Sequence, residues 1–254
     1  MIDLNHGSGA VYGEVAIGAV ADRINGLLDA ALLAERDAQP RRTYLGASRI
    51  GEPCCRRLAF EITHTPPDEG RGFDGHALRI FDAGHVFEAL SIRWLRAAGF
   101  ELRTERRDGS QFGFAAAGGR LRGHIDGVIV SGPEVGLPWP ALWEHKALNA
   151  RSWEDLVKHG LRRSKPLYWA QVQIYMAYLE VPVALFSALN KNTQELFHQA
   201  VDLDPAEAQA LSDKAVAVLR AVDAGELPPR IAATAGDWHC RYCEFARRCW
   251  EAAP

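Results

Sequence analysis

The sequence predicts an α/β fold in a single domain, on three observations. Apolar residues recur at helical spacing near both ends of the chain, strand-like alternation fills its middle, and no internal repeat or low-complexity tract interrupts the pattern. The 254 residues are 48% hydrophobic and 24% charged, enough to bury one sizeable core. No run approaches the ~20 apolar residues of a membrane span, and the N-terminus lacks the basic-then-apolar pattern of a signal peptide. A cytoplasmic location with reduced cysteines is therefore expected, and no membrane partner. The net charge of −3 excludes a protein coated in positive charge but not a nucleic-acid partner, because clustered carboxylates can cancel basic residues elsewhere.

Each element follows from local chemistry. Residues 14–38 carry Val15, Ile17, Val20, Ile24, Leu27, Leu28 and Leu32 at helical spacing, and 39–47 read as a loop. Ser48 precedes a short segment, 50–62, with Cys54 and Cys55. Residues 63–76 are rich in Pro, Gly and Asp and read as a mobile loop. A helix over 78–98 should turn Phe81, Val86, Phe87, Leu90, Trp94 and Leu95 to the core and end at Gly99. Residues 100–103 and 113–115 read as a strand pair, 121–130 and 141–148 as two further strands, with Gly/Pro-rich 131–140 between them. Helices over 152–160 and 166–179 come next, then strands at 183–189 and 194–202. Asp204, Pro205 and Glu207 make a well-formed start for a last helix, which Pro228-Pro229 stop.

The chemistry concentrates in the middle. Asp126 interrupts an apolar strand, and the neighbouring strand carries Glu144 and Lys146 two residues apart, hence on one face. A hairpin would lay Asp126 beside Glu144. Two carboxylates offer hard oxygens for Mg²⁺ or Mn²⁺, and a lysine can steady the charge that develops on a phosphate. By itself such a triplet could equally be a cross-strand salt bridge. His85 and Glu88 share a helix face, as do Gln171 and Tyr175, whereas Gln173 points elsewhere and reads as surface. Residues 151–165 set Arg151, Lys158, Arg162, Arg163 and Lys165 against Glu154 and Asp155, a solvated face unless chemistry lies next door.

The 5 cysteines lie at the two ends of the chain. Cys240, Cys243 and Cys249 have a spacing suited to one metal centre, with one of Cys54 and Cys55 as the fourth ligand. Four thiolates suit either a structural Zn²⁺ or a 4Fe–4S cluster. Either would clip the C-terminus onto the N-terminal part.

The order Cys54, Gly84-His85, Gly123-His124-Ile125-Asp126, Glu144-His145-Lys146, Gln171 to Tyr175 and the terminal cysteines resembles the PD-(D/E)XK nuclease superfamily. More narrowly it resembles the RecB-like branch that carries an iron–sulfur cluster, which includes CRISPR adaptation nucleases, the AddB nuclease domain and phage recombination exonucleases. Ser164-Lys165-Pro166 and Asn190-Lys191-Asn192-Thr193 look most like the phage group. The resemblance spans roughly residues 45–250 and lies in motif order. It implies a restriction-endonuclease-like core, a central mixed sheet flanked by helices, over 48–203. A helical extension (1–47) would precede it, and a C-terminal helix with a cluster-binding tail (204–254) would follow.

The resemblance also implies roles. His85, Asp126, Glu144 and the backbone carbonyl of His145 would bind the catalytic Mg²⁺ or Mn²⁺, with Glu88 as a second-metal ligand or orienting partner. Lys146 would position or activate the attacking water, and Gln171 and Tyr175 would contact the phosphate or brace the lysine. Cys54, which is followed by Cys55-Arg56-Arg57, would join Cys240, Cys243 and Cys249 on a 4Fe–4S cluster, in preference to zinc. Arg56, Arg57, Lys158, Arg162, Lys165 and Lys191, with Arg241, Arg247 and Arg248, would lie along a DNA path. Ala147 stands where relatives often have threonine. The activity implied is a metal-dependent DNA exonuclease in phage or prophage recombination, with DNA and a single-strand annealing protein or other recombination factor as partners. A CRISPR adaptation nuclease and a non-catalytic DNA-binding protein of the same fold are the alternatives.

Overall fold

The computed structural model describes residues 17–251. The described residues separate into two compact units, one of residues 17–40 and 73–81, the other of 41–72 and 82–251.

The smaller unit is built on α1 (Ile17–Ala38). Asp29 pairs with Arg79, the Arg36 guanidinium lies over the Phe73 ring, and Phe73 meets Phe81 edge-on. The helix forms where its periodicity predicts, with residues 14–16 of that prediction outside the described part. Its apolar stripe is open among the described residues: Val20, Ile24, Leu27 and Leu28 are exposed. Periodicity fixes which residues share a face but not what lies against it.

The larger unit contains two sheets. One orders β1 (Leu45–Gly46), β4 (Leu121–His124) and β3 (Gly113–Ala116). The other orders β2 (Glu101–Arg103), β5 (Gly127–Ser131), β6 (Ala141–Leu148), β7 (Val183–Asn190) and β8 (Leu196–Asp202). The second sheet is mixed: β6 and β7 run parallel and the other pairs antiparallel. Between β6 and β7 the chain crosses through α4 (Ala150–Ser164) and α5 (Pro166–Leu179). The remaining helices are α2 (Cys55–Ile62), α3 (Gly75–Ala97), α6 (Pro205–Asp223), α7 (Trp238–Arg241) and α8 (Ala246–Glu251). The result is the expected mixed α/β core flanked by helices.

Several local expectations change. Residues 121–130 are not one strand: a break at Ile125-Asp126 hands the chain from the first sheet to the second. Inward-outward alternation continues across the break, so periodicity does not reveal it. β3 pairs with β4 and β2 with β5, not with each other. Phe81 and Val86, expected inside, are 49% and 60% exposed. The 63–76 loop is pinned, because buried Asp68 accepts the backbone N–H groups of Arg247 and Arg248 and donates its own to Glu244. α5 is buried on every side from Ala170 to Met176, and Gln173 is buried with it. The Gln173 side chain donates to the Asp202 carbonyl and accepts from the Asp204 N–H, which joins the end of β8 to the start of α6. Asp204 caps α6 as expected, accepting from Glu207 N.

Candidate active site

β6 is the axis of the site. Its pleat puts Glu144 and Lys146 on one face and His145 on the other. Lys146 Nζ donates to Glu144 Oε1, and so does Gln171 Nε2 from α5, at 2.5 Å. Gln171 also donates to Tyr175 Oη at 3.3 Å, so the two residues that share a helix face act as one bracket. Asp126 arrives from the break between β4 and β5 and is anchored by the N–H of His145 to its Oδ2, 2.8 Å. Gly123 lets Tyr175 come close, since a Cβ there would stand 2.7 Å from Tyr175 Cε1. Lys146 Nζ also lies 5.3 Å from the centre of the Tyr168 ring, a cation–π contact not anticipated from sequence.

The electrostatics are those of crowded charge in a dry place. Glu144 is fully buried, and its Oε2 has no hydrogen-bond partner. Burial and then the Asp126 carboxylate push its carboxyl up to about 8, against the pull of Lys146. Burial opposes charge on Lys146, yet Glu144 and Asp126 outweigh it and hold the ammonium above its ordinary range. Glu88 on α3 is pushed up by burial and by Asp126, which places it in the same field. Burial, and next the Glu144 charge, raise the Tyr175 phenol, so it stays neutral. On the opposite face His145 accepts or donates through Nε2 to Ser91 at 2.9 Å, and burial followed by Lys146 holds its imidazole down to about 4. That neutral ring props β6 against α3. Sequence reasoning assigned His145 only a backbone role, and no spacing points to Ser91.

His85 stands apart. Its side chain is 79% exposed, with Nδ1 4.0 Å from Glu88 Oε2. Among the described residues no group of three or more His, Cys, Asp or Glu side chains is arranged to hold a metal ion. Asp126 and Glu144 converge as a pair, and an orphaned, buried carboxylate oxygen suits a divalent cation.

At the other end of the unit, Cys54, Cys240, Cys243 and Cys249 line one small cavity. Cys55 does not; it packs against the core. N–H donors already face the sulfurs: Phe245 N lies 3.5 Å from Cys243 Sγ and Arg56 Nη1 3.9 Å from Cys249 Sγ. Burial pushes the Cys54 and Cys243 thiols up, which an electropositive centre would reverse.

Four of the cations expected along a DNA path have protein partners. Arg56 is buried and donates to the Pro228 carbonyl. Arg57 pairs with Glu52, Glu61 and Glu244. Lys165 is held by Asp155 and Ser164, and Arg162 lies between Asp204 and Glu207 and over Trp169. Lys158 is exposed and Lys191 half-buried. Asp155 lies inside the stretch 151–165, whereas Asp204 and Glu207, which meet Arg162, and Glu244, which meets Arg57, lie outside any local charge count.

Residues 49–250 match the family model of the PD-(D/E)XK nuclease superfamily. No curated protein matches the chain. Among solved structures, the chain is similar to an alkaline exonuclease, LHK-Exo, from Laribacter hongkongensis, with 17% identity and a TM-score of 0.52 over 73% of this chain and 90% of that one. The structure of LHK-Exo in complex with dAMP matches at 17% identity over the same shares, with a TM-score of 0.53. At that identity the likeness is one of fold, whereas the family match takes in most of the sequence and every residue of the β6 cluster: the chain belongs to the PD-(D/E)XK nuclease superfamily.

Proposed function

We propose that this chain is a divalent-metal-dependent deoxyribonuclease that hydrolyses phosphodiester bonds from DNA ends. One observation carries the reading: a fully buried carboxylate, Glu144, with a partnerless oxygen beside Asp126 and a charged lysine. A buried carboxylate left unsatisfied costs several kcal/mol unless something neutralises it. Asp126, Glu144 and the His145 carbonyl would hold Mg²⁺ or Mn²⁺, with Glu88 and, after a side-chain rotation, His85 beside them. When bound, the ion supplies Lewis-acid stabilisation of charge on the phosphate.

The chain's own residues do the rest. Lys146 is 22% exposed, enough to meet a substrate at the cluster's surface. Because its ammonium is held charged, it serves to orient water and to stabilise negative charge on phosphate, not to take a proton. Gln171 fixes the Glu144 carboxylate and Tyr175 fixes Gln171. Water adds to phosphorus as the bond to the leaving oxygen breaks, and a proton passes to that oxygen. Likeness to an alkaline exonuclease, one structure of which holds dAMP, favours cutting at ends, because a nucleoside monophosphate is what stepwise cutting releases. A role in phage or prophage recombination, alongside an annealing protein, is the corresponding biological reading.

The cavity between the chain ends is proposed to hold a 4Fe–4S cluster on Cys54, Cys240, Cys243 and Cys249. Four thiols line it, the donor set of a four-thiolate centre, and the resemblance in motif order favours the iron–sulfur cluster over zinc.

The test compares wild type with Glu144→Ala and Lys146→Ala on end-labelled linear DNA in Mg²⁺ or Mn²⁺. Each variant should lose on the order of 10²–10³-fold in kcat, and a covalently closed circle should resist the wild type. Variants as active as wild type would remove the assigned site, and a cut circle would make the enzyme an endonuclease.

A further inference from the structure

The connection between β2 and β3, residues 104–112, adjoins Asp126 and has no part in the cluster described above. It is a built turn. Glu105 bridges to Gln111, Arg106 N donates to Ser110 O at 2.8 Å, and Gly109 sits at φ +78. Asp108 accepts from both the N–H and the hydroxyl of Ser110. The turn is also tied to the residue just before Asp126. Ile125 N donates to Phe112 O at 3.0 Å, Gln111 Nε2 donates to Ile125 O at 3.2 Å, and Arg106 Nη2 donates to Gly113 O at 2.6 Å. A Cβ on Gly113 would strike the Gly123 carbonyl, so the two backbones are in direct contact.

This turn presents Arg103, Glu105, Arg106, Arg107 and Phe112 to an open cleft of about 500 Å³. Arg103 is paired with Glu101, and Arg106 spends one arm on Gly113. Arg107 is exposed and makes no ion pair among the described residues. The contrast with Arg56, Arg57 and Lys165, each held by protein partners, is direct. Positive charge with no ion pair among the described residues, in one cleft with Phe112 and bonded to the strand that leads into Asp126, is what a sugar–phosphate backbone requires.

Resting on the nuclease reading, we infer that the 104–112 turn seats the DNA strand being cut. Arg106 and Arg107 contact phosphates next to the scissile one, and Phe112 lies under the adjoining sugar or base. The contacts carry no sequence information. Their function is uniform binding: the turn is bonded to the residue before Asp126, so a phosphate held at Arg107 is held alike in ground state and transition state.

The experiment measures DNA binding by fluorescence anisotropy on Glu144→Ala protein, with and without Arg107→Ala, across a salt series. Steady-state kinetics are then run for Arg107→Ala alone. Arg107 is exposed and has no ion pair among the described residues, so its removal spares the fold. Losing one phosphate contact should lower the slope of log affinity against log salt by about 0.7–0.9, and raise KM with kcat retained. Unchanged affinity and slope would overturn the assignment, as would a fall in kcat at constant KM. So would capture of poly-L-glutamate as tight as that of DNA and lost in Arg107→Ala, which would give the cleft to an acidic protein. Wild type that cuts no DNA would sink the nuclease reading instead, and the binding series would still decide the turn.

Discussion

Glu144 faces two opposed demands. Burial and Asp126 favour its protonated form, while Lys146 and Gln171 both donate to its Oε1 and favour the charged one. A residue that steadies the Glu144 carboxylate should therefore act on chemistry more than on binding. A hydrogen bond to a charged group contributes about 1.5–3 kcal/mol, which converts to about 10–150-fold in rate. Gln171→Leu should therefore lower kcat by about that range and leave KM nearly as it was. Tyr175→Phe removes only the 3.3 Å contact to Gln171 and should cost less than Gln171→Leu. Steady-state kinetics on linear DNA test the order, and a Tyr175→Phe defect larger than that of Gln171→Leu would show that the phenol touches substrate itself.

At the scale of elements, what the sequence disclosed depended on whether one face decided a residue's position. Glu144 and Lys146 were legible because a strand has period two, and Gln171 with Tyr175 because a helix returns at four. Gln173 was not, since α5 is buried all round and periodicity cannot mark a polar face there. The break at Asp126 was hidden by unbroken alternation, and the shared cavity of Cys54 and the terminal cysteines was legible only as a motif, never as a geometry. The stretch 151–165 shows its charge in the sequence but not its pairing, which the fold sets. Asp155 at the middle of α4 takes hydrogen bonds from Ser164, Lys165 and His159. The bond from Ser164 first, then Lys165, holds its carboxyl below the ordinary range. A carboxylate depressed in the folded state adds stability that is complete above its unfolded value, near 3.8, and is lost as pH falls below it. Asp155→Asn should hence be less stable than wild type at pH 5–7, with the gap narrowing toward zero in strong acid, as read by urea midpoints across pH. A gap between the two proteins that stays constant down to the lowest pH would mean that packing, not charge, ties α4 to its own end.

For the whole molecule the question is what holds the two chain ends together. The proposed cluster is one fastening, but the tail has others made of ordinary hydrogen bonds. Asp68 caps α8 through Arg247 and Arg248, Arg57 reaches Glu244, Arg71 donates to the Arg241 carbonyl, and Arg230 donates to the carbonyl of Cys249. Two fastenings on one segment should not act independently. With the cluster in place, losing the Asp68 carboxylate strands two N–H groups and costs about 1–3 kcal/mol. With the cluster gone, the tail is already freer to leave, and the same change should cost less. Anaerobically purified wild type should be brown, with about four iron and four sulfide per chain, and Cys243→Ser should lose that colour. Thermal unfolding of wild type, Asp68→Ala, Cys243→Ser and the double variant then closes a cycle. Neighbouring elements commonly couple by about 0.5–3 kcal/mol, and here the double variant should be more stable than the sum of the single losses predicts. Strict additivity would mean that Asp68 and the cysteines hold separate parts of the tail, and trypsin cleavage after Arg241 in Cys243→Ser but not in Asp68→Ala would locate the part that the cluster alone retains.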